Sequence, residues 1–154
     1  MTMRKQVVHT PKVPAARVPL SQAIKAGDWV FASGQLGTVA PGKLADGGIA
    51  GETRQVCENL KAVLEAGGSS LDRVVKVTIY MVDLGELMEM NRVFSEYFPQ
   101  DPPARTTFEC RALAVLALLL LAATAQAGVT ISFGIVSANP NYWAIFVARE
   151  QGLL

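Results

Sequence analysis

The charged residues of this 154-residue chain are confined almost entirely to its first part. Of the 27 charged side chains, 25 lie in residues 1–111, and none lies between Ala112 and Ala148. A single average soluble domain distributes its charges along its whole length. The length suits one domain and is short for two. We therefore expect one soluble domain in the charged part, followed by an apolar C-terminal part of a different kind.

Overall composition excludes several classes of protein. A net charge of +1 excludes a nucleic-acid binder that works by bulk positive charge, and an apolar content of 51% argues against disorder. Cys57 and Cys110 are too few for a disulfide scaffold, and with His9 as the single histidine they form no zinc motif. We therefore expect no bound metal. The N-terminus carries no apolar signal segment, so we expect a cytoplasmic protein.

The first part of the chain predicts strands and turns. Gln6–Thr10 is prone to form a β-strand, and Ser21–Lys25 and Trp29–Ser33 flank a Gly-Asp pair typical of a hairpin. Gly34–Gly51 holds six glycines and a proline, which predicts a long loop.

Two helices are predicted by apolar residues at helical spacing. Gly51–Ala66 is the first helix, ended by Gly67-Gly68, and its buried face is expected to hold Val56, Leu60, Val63 and Leu64. Leu84–Phe98 is the second helix, capped by Asp83. Its apolar side is expected to be core: Leu87, Met90, Val93, Phe94, Tyr97 and Phe98.

Two further strands complete the predicted sheet. Val74–Val82 alternates, with Val75, Val77, Ile79 and Met81 on the side expected to be buried, and Ala104–Cys110 follows a proline turn. The element order β, ββ, α, β, α, β predicts an α+β fold with both helices on one face of a single sheet.

Two short segments have the residue types that a binding site requires. In Ser33-Gly34-Gln35 a glycine ends a strand and lets a ligand approach the backbone. Arg105 begins a strand after Pro102-Pro103, and arginine suits bidentate binding of a carboxylate. Taken alone, these residues are more typical of a turn glycine and a solvated arginine than of a binding site.

An ordered series of motifs resembles the RidA (YjgF) family over about residues 5–113. The motifs are Pro19-Leu20-Ser21-Gln22-Ala23, Phe31-Ala32-Ser33-Gly34-Gln35, Thr53–Lys61, Ser70-Leu71-Asp72 with Val74-Val75-Lys76, Asp83-Leu84 with Met90-Asn91, and Pro102-Pro103-Ala104-Arg105. The resemblance implies a chorismate-mutase-like α+β fold. It also implies a homotrimer with clefts between its subunits.

The resemblance further implies hydrolysis of reactive enamines and imines, such as 2-aminoacrylate, to 2-keto acids and ammonia, without a metal or organic cofactor. Arg105 would be the catalytic residue that binds the substrate carboxylate. Ser33 and Gly34 would line the pocket, and Asn91 would be a further polar contact or support. The imine carbon is already electrophilic, so the site needs a positioned water, a proton relay and dipoles.

The chain departs from the family at two positions. Leu20 stands where the family usually has a tyrosine, which makes the substrate-binding wall more apolar. The glutamate of the family's closing strand aligns with Leu120, and residues 114–125 contain no acidic residue. Leucine cannot accept a proton, so on this alignment hydrolysis is expected to be slower by about 10²–10⁴-fold.

The C-terminal part permits two accounts. Residues 114–125 form an atypical closing strand, apolar on both faces, which completes a domain of residues 1–125. Alternatively, the native ending has been replaced, because residues 111–154 resemble a signal peptide followed by the start of a periplasmic solute-binding protein. In either account residues 126–154 are an extension that is too short to be an independent domain, and we expect it to pack loosely or to be mobile.

Three functional hypotheses remain open at the level of sequence. The first is a cytoplasmic enamine/imine deaminase, either active or impaired by the missing glutamate. The second is a non-catalytic trimer that binds small carboxylates through Arg105. The third is a membrane-associated protein that uses Ala112–Ala125, a run shorter than the roughly 20 residues of a membrane span.

Overall fold

The chain forms a mixed β-sheet, with both antiparallel and parallel strand pairs, that is covered on one face by two helices. This is a computed structural model, which describes residues 4–15, 18–110, 132–133 and 147–149. The elements are β1 (Lys5–Val8), β2 (Ala23–Ala26), β3 (Trp29–Ala32), β4 (Gln35–Leu36), β5 (Thr38–Ala40), β6 (Lys43–Leu44), α1 (Gly48–Ala66), β7 (Val74–Met81), α2 (Leu87–Tyr97), β8 (Ala104–Glu109), β9 (Ser132–Phe133) and β10 (Val147–Arg149).

The N-terminal strands form an antiparallel meander. β1 pairs with β2, and β2 pairs with β3 across the predicted Gly-Asp turn, where Gly27 has a φ of 58°. Glycine adopts this left-handed conformation without the steric cost of a Cβ atom. The predicted hairpin is confirmed.

The C-terminal half of the described fold is a parallel pair of strands joined by α2. β7 pairs in parallel with β8, and Val77 is the register partner of Arg105. A parallel pair needs a long crossover, which α2 supplies on the same face as α1. The register therefore places the Arg105 side chain on the helix-covered face, since Val77 is fully buried there.

The core lies between the sheet and the helices. Val56, Leu60, Val63 and Leu64 of α1 are all buried, as their spacing predicted. From α2 the buried residues are Met90, Val93 and Phe94, followed by Phe98, while Leu87 and Tyr97 pack against them half-buried.

One predicted facing of β7 is wrong. Val75 shares its face with Val77 and Ile79, yet it is 49% exposed, whereas Thr78 on the other face is fully buried. Alternation gives the direction of a side chain on a strand. It does not say whether another element covers that side chain, and this depends on where the helices begin and end.

The prediction of one long loop over Gly34–Gly51 is also wrong. Three short strands, β4 to β6, lie in it, and α1 begins at Gly48. The amide of Asn59 in α1 donates to the carbonyls of Leu36 at 3.0 Å and Thr38 at 3.1 Å. A helix side chain thus holds the segment in place, which local sequence patterns do not reveal.

The predicted closing strand, residues 114–125, lies outside the described residues. The structure places β10 between β3 and β7, antiparallel to both, and β9 between β4 and β7. Two tail segments therefore occupy successive stretches of one edge of β7. In the described ranges no helix is long and apolar enough to cross a bilayer.

Candidate functional site

Arg105 lies near the start of β8, which pairs with β7, and its side chain is exposed on the helix-covered face of the sheet. Among the described residues no group forms a hydrogen bond or an ion pair with its guanidinium. Partial burial lowers the pKa of this group from its usual value of 12.5. An arginine remains charged at physiological pH, so the strand presents a cation with its N–H donors free for an anion.

An aromatic ring holds the Arg105 guanidinium. The central carbon of the guanidinium lies 5.1 Å from the ring centroid of Phe94 in α2. Phe94 is only 5% exposed and stacks on Phe98, with 4.5 Å between the ring centroids. This is a cation–π contact with a ring that is itself fixed by the core.

Asn91 lies on the same helix, about 4.5 Å along its axis before Phe94. Its side-chain oxygen is buried and has no hydrogen-bond partner within the described part of the chain. An unsatisfied buried acceptor is costly, and such atoms call for a partner such as water or a ligand. Asn91 in α2 and Arg105, which contacts α2 through Phe94, are the two predicted site residues on the helix-covered side of the sheet.

Ser33 and Gly34 come directly after β3, a strand that β10 and β7 separate from β8. The Ser33 hydroxyl donates to the carbonyl of Ser21 at 2.6 Å, and its backbone N–H donates to the carbonyl of Gln22 at 2.9 Å. Gly34 is exposed, as is Leu20, at 48%, immediately before Ser21. Leu20, Ser33 and Gly34 thus form a second half of the candidate site.

Buried amides anchor this second half. The side chain of Gln22 accepts from Thr10 N–H at 2.6 Å and donates to the Thr10 carbonyl at 3.1 Å. The amide of Gln35 donates to the Ser33 carbonyl at 3.0 Å. These two glutamines were part of the motif series, but the sequence did not assign them this supporting role. The one sequence signal for this role was that both glutamines are polar residues placed next to the ends of apolar strands.

Within one chain the two halves are far apart. β3 and β8 are separated by β10 and β7, so Ser33 and Arg105 lie roughly 14 Å apart at the usual strand spacing. They also project from opposite faces, because Val30 and Ala32 of β3 are buried beneath the helices and Ser33 alternates with them. A small ligand cannot contact both groups of one subunit.

The sheet face opposite the helices carries exposed apolar side chains. Val7 is 64% exposed, Trp29 39% and Phe108 46%, and strand register and alternation place all three on this face. The Tyr80 and Phe108 rings stack here with 5.9 Å between their centroids. Apolar groups gathered on one face are typical of an interaction surface.

A separate cavity of about 410 Å³ lies between the N-terminal loop and the turn joining β5 and β6. Its lining includes His9, Lys12, Val39 and Pro41, and none of the predicted site residues. Within the described ranges, no three His, Cys, Asp or Glu side chains are clustered for a metal.

Comparisons with known proteins agree with the motif series. A family model described as endoribonuclease L-PSP matches residues 10–127. A RutC family protein of Pyrococcus abyssi is 46% identical over 109 residues, which are 70% of this chain and 85% of that protein. The 2-iminobutanoate/2-iminopropanoate deaminase of Bos taurus is 36% identical over 110 residues, 71% of this chain and 80% of the relative.

A solved structure is similar as well. The crystal structure of RidA from the Antarctic bacterium Psychrobacter sp. PAMC 21119 aligns with a TM-score of 0.66 and 35% identity, over 83% of this chain and 96% of that one. The family match extends through the apolar run to residue 127. The resemblance of residues 111–154 to an exported transport protein is not supported by these matches. The chain belongs to the RidA (YjgF) family and has its chorismate-mutase-like α+β fold.

Proposed function

We propose that this protein hydrolyses reactive enamines and imines derived from small amino acids, releasing a 2-keto acid and ammonia. The observation that carries the proposal is the guanidinium of Arg105, which is exposed, held by a ring and free of partners in the described residues. Such a group binds a carboxylate through two parallel hydrogen bonds. The deaminase name of the bovine relative supports the assignment of the reaction.

The reaction requires little from the protein beyond orientation. The enamine tautomerises to the imine, and water adds to the electrophilic imine carbon. The hydroxyl proton of this adduct is transferred to the nitrogen, and the C–N bond breaks, so that ammonia departs and a 2-keto acid remains. Arg105 would hold the substrate carboxylate, which fixes the position of the adjacent imine carbon. Asn91 would offer its unsatisfied oxygen to an N–H of the substrate or to the attacking water.

The second half of the site would come from another subunit. Leu20, Ser33 and Gly34 lie roughly 14 Å from Arg105 on the opposite face, so one chain cannot assemble the site alone. We propose a homotrimer with its sites between subunits. The exposed apolar side chains Val7, Trp29 and Phe108 support an association through the open face of the sheet.

The test measures formation of a 2-keto acid by the purified full chain from 2-aminoacrylate generated in the same solution. Arg105→Ala should lower kcat/KM by about 10- to 100-fold, since a charge-assisted contact with the substrate is lost. Arg92→Ala is the matched control, because Arg92 is an exposed arginine of α2 paired only with surface carboxylates. Full activity of the Arg105 variant would contradict the role given to Arg105.

A second candidate is a trimer that binds small carboxylates without converting them. The absence of any acidic residue from 114 to 125 favours it, since the family's glutamate aligns with Leu120. If the wild type binds pyruvate but does not accelerate hydrolysis, this candidate is supported. Leu120→Glu should then raise the rate of hydrolysis by up to about 10²-fold, because it restores a carboxylate at the aligned position.

A further inference from the structure

Phe94 is a core residue by every feature of its sequence context, but one face of its ring lies outside the core. Its position in α2 fits the apolar stripe, and it is 5% exposed. Its ring lies beneath the Arg105 guanidinium at 5.1 Å, while the equally buried Phe98, 7% exposed, makes no such contact.

The contact matters because nothing else among the described residues orients Arg105. The exposed side chain of Arg105 has several rotatable bonds, and its conformational freedom must be lost when a ligand binds. Here hydrogen bonds and ion pairs to Arg105 are lacking in the described ranges, so the aromatic face is the one group that restricts it.

A ring also leaves the binding edge of the guanidinium unoccupied. Contact with the ring uses the guanidinium π-face and consumes none of its N–H donors. An acceptor side chain in the same place would compete with the substrate carboxylate for those donors. The ring in addition removes water from one side of the cation, which strengthens its interaction with an anion.

We propose that Phe94 is the positioning residue for Arg105: its ring, which the core holds in place, pre-orients the guanidinium for bidentate capture of the substrate carboxylate. This inference rests on the proposed function. It predicts that the aromatic character of residue 94, and not only its volume, sets the affinity for small carboxylates. It also explains why an exposed arginine can be ordered before the ligand arrives.

The experiment compares Phe94→Leu with Phe98→Leu, using pyruvate as the probe in calorimetric titrations of the full chain. Both variants lose one ring of the same stacked pair, so a general loss of packing affects both. Phe94→Leu should weaken pyruvate binding by about 3- to 10-fold, the usual worth of a cation–π contact, and Phe98→Leu by less than about twofold. Phe94→Tyr should bind as the wild type does.

A spectroscopic readout keeps the two proposals distinguishable. The Nε–H resonance of Arg105 should show a ring-current shift in the wild type and in Phe98→Leu, and should lose it in Phe94→Leu. Equal weakening of pyruvate binding by both leucine variants, or no weakening by Phe94→Leu, would overturn the role of Phe94. Absence of pyruvate binding by the wild type, with the ring-current shift present, would overturn the proposed function instead.

Discussion

At the scale of single residues, burial decides which groups can react. Cys57 lies in α1 and is almost fully buried, and that burial raises the pKa of its thiol to about 12, with Glu58 adding to the rise and Arg54 opposing it. Arg105 shows the opposite environment, since it keeps access to solvent and rests on an aromatic face. The same core therefore makes Cys57 inert and keeps Arg105 available.

The raised pKa of Cys57 predicts a loss of stability at alkaline pH. The thiol of an unfolded chain ionises near pH 8.5, whereas the folded chain keeps its proton to about pH 12. Above pH 8.5 the unfolded state therefore binds fewer protons, and the free energy of unfolding falls as pH rises, by at most about 1.4 kcal/mol per pH unit. Urea unfolding at pH 8, 9 and 10 measures this slope.

Cys57→Ala should have a shallower slope than the wild type, whatever its absolute stability. Cys110→Ala leaves the buried thiol in place and should keep the wild-type slope. At higher pH, Tyr97 also makes the free energy of unfolding fall as pH rises, because burial and its hydrogen bond to Glu58 raise its pKa. Identical slopes for Cys57→Ala and the wild type would contradict the assignment to Cys57.

At the scale of elements, the C-terminal end of α1 shows how local sequence specifies the boundary of a helix. After Gly67, Gly68 has a φ of 83°, its N–H donates to the Glu65 carbonyl at 3.0 Å, and the N–H of Ser69 donates to the Leu64 carbonyl at 2.9 Å. These are the two hydrogen bonds of a Schellman motif. The predicted helix end is confirmed, and its left-handed residue is the second of the two glycines.

Gly68→Ala should lower the free energy of unfolding by about 1 kcal/mol, because alanine has a Cβ that disfavours the left-handed conformation. Gly68→Asn should cost less, since asparagine tolerates this conformation better. Chemical denaturation of the three proteins at one pH measures the differences. If the alanine and asparagine variants are equally stable, backbone conformation is not what selects glycine here.

At the scale of the whole molecule, the helix layer and the open face of the sheet have different roles. The helices cover one face and hold Arg105 through Phe94, whereas the opposite face leaves Val7, Trp29 and Phe108 exposed. A single chain thus carries the two proposed half-sites on opposite faces, and the face opposite the helices has exposed apolar side chains among the described residues. The proposed trimer accounts for both features at once.

Val7→Glu should shift the protein from trimer toward monomer in sedimentation experiments, because it places a charge on the proposed contact surface. Met88→Glu is the matched control, since Met88 is 77% exposed on helix α2, on the other side of the sheet. The Val7 variant should also lose deaminase activity in step with the loss of trimer. A monomeric wild type would contradict the proposed assembly.

The sequence by itself determined the two helices, the longer strands and the family, because these depend on local periodicity and on ordered motifs. The hairpin at Gly27, both helix faces and the strand carrying Arg105 were all predicted. Tertiary structure decided what depends on neighbours distant in the chain: the exposure of Val75, the strands pinned by Asn59, and the ring of Phe94 beneath Arg105. It also separated Ser33 from Arg105, since only strand order and sheet face fix which motif residues can meet.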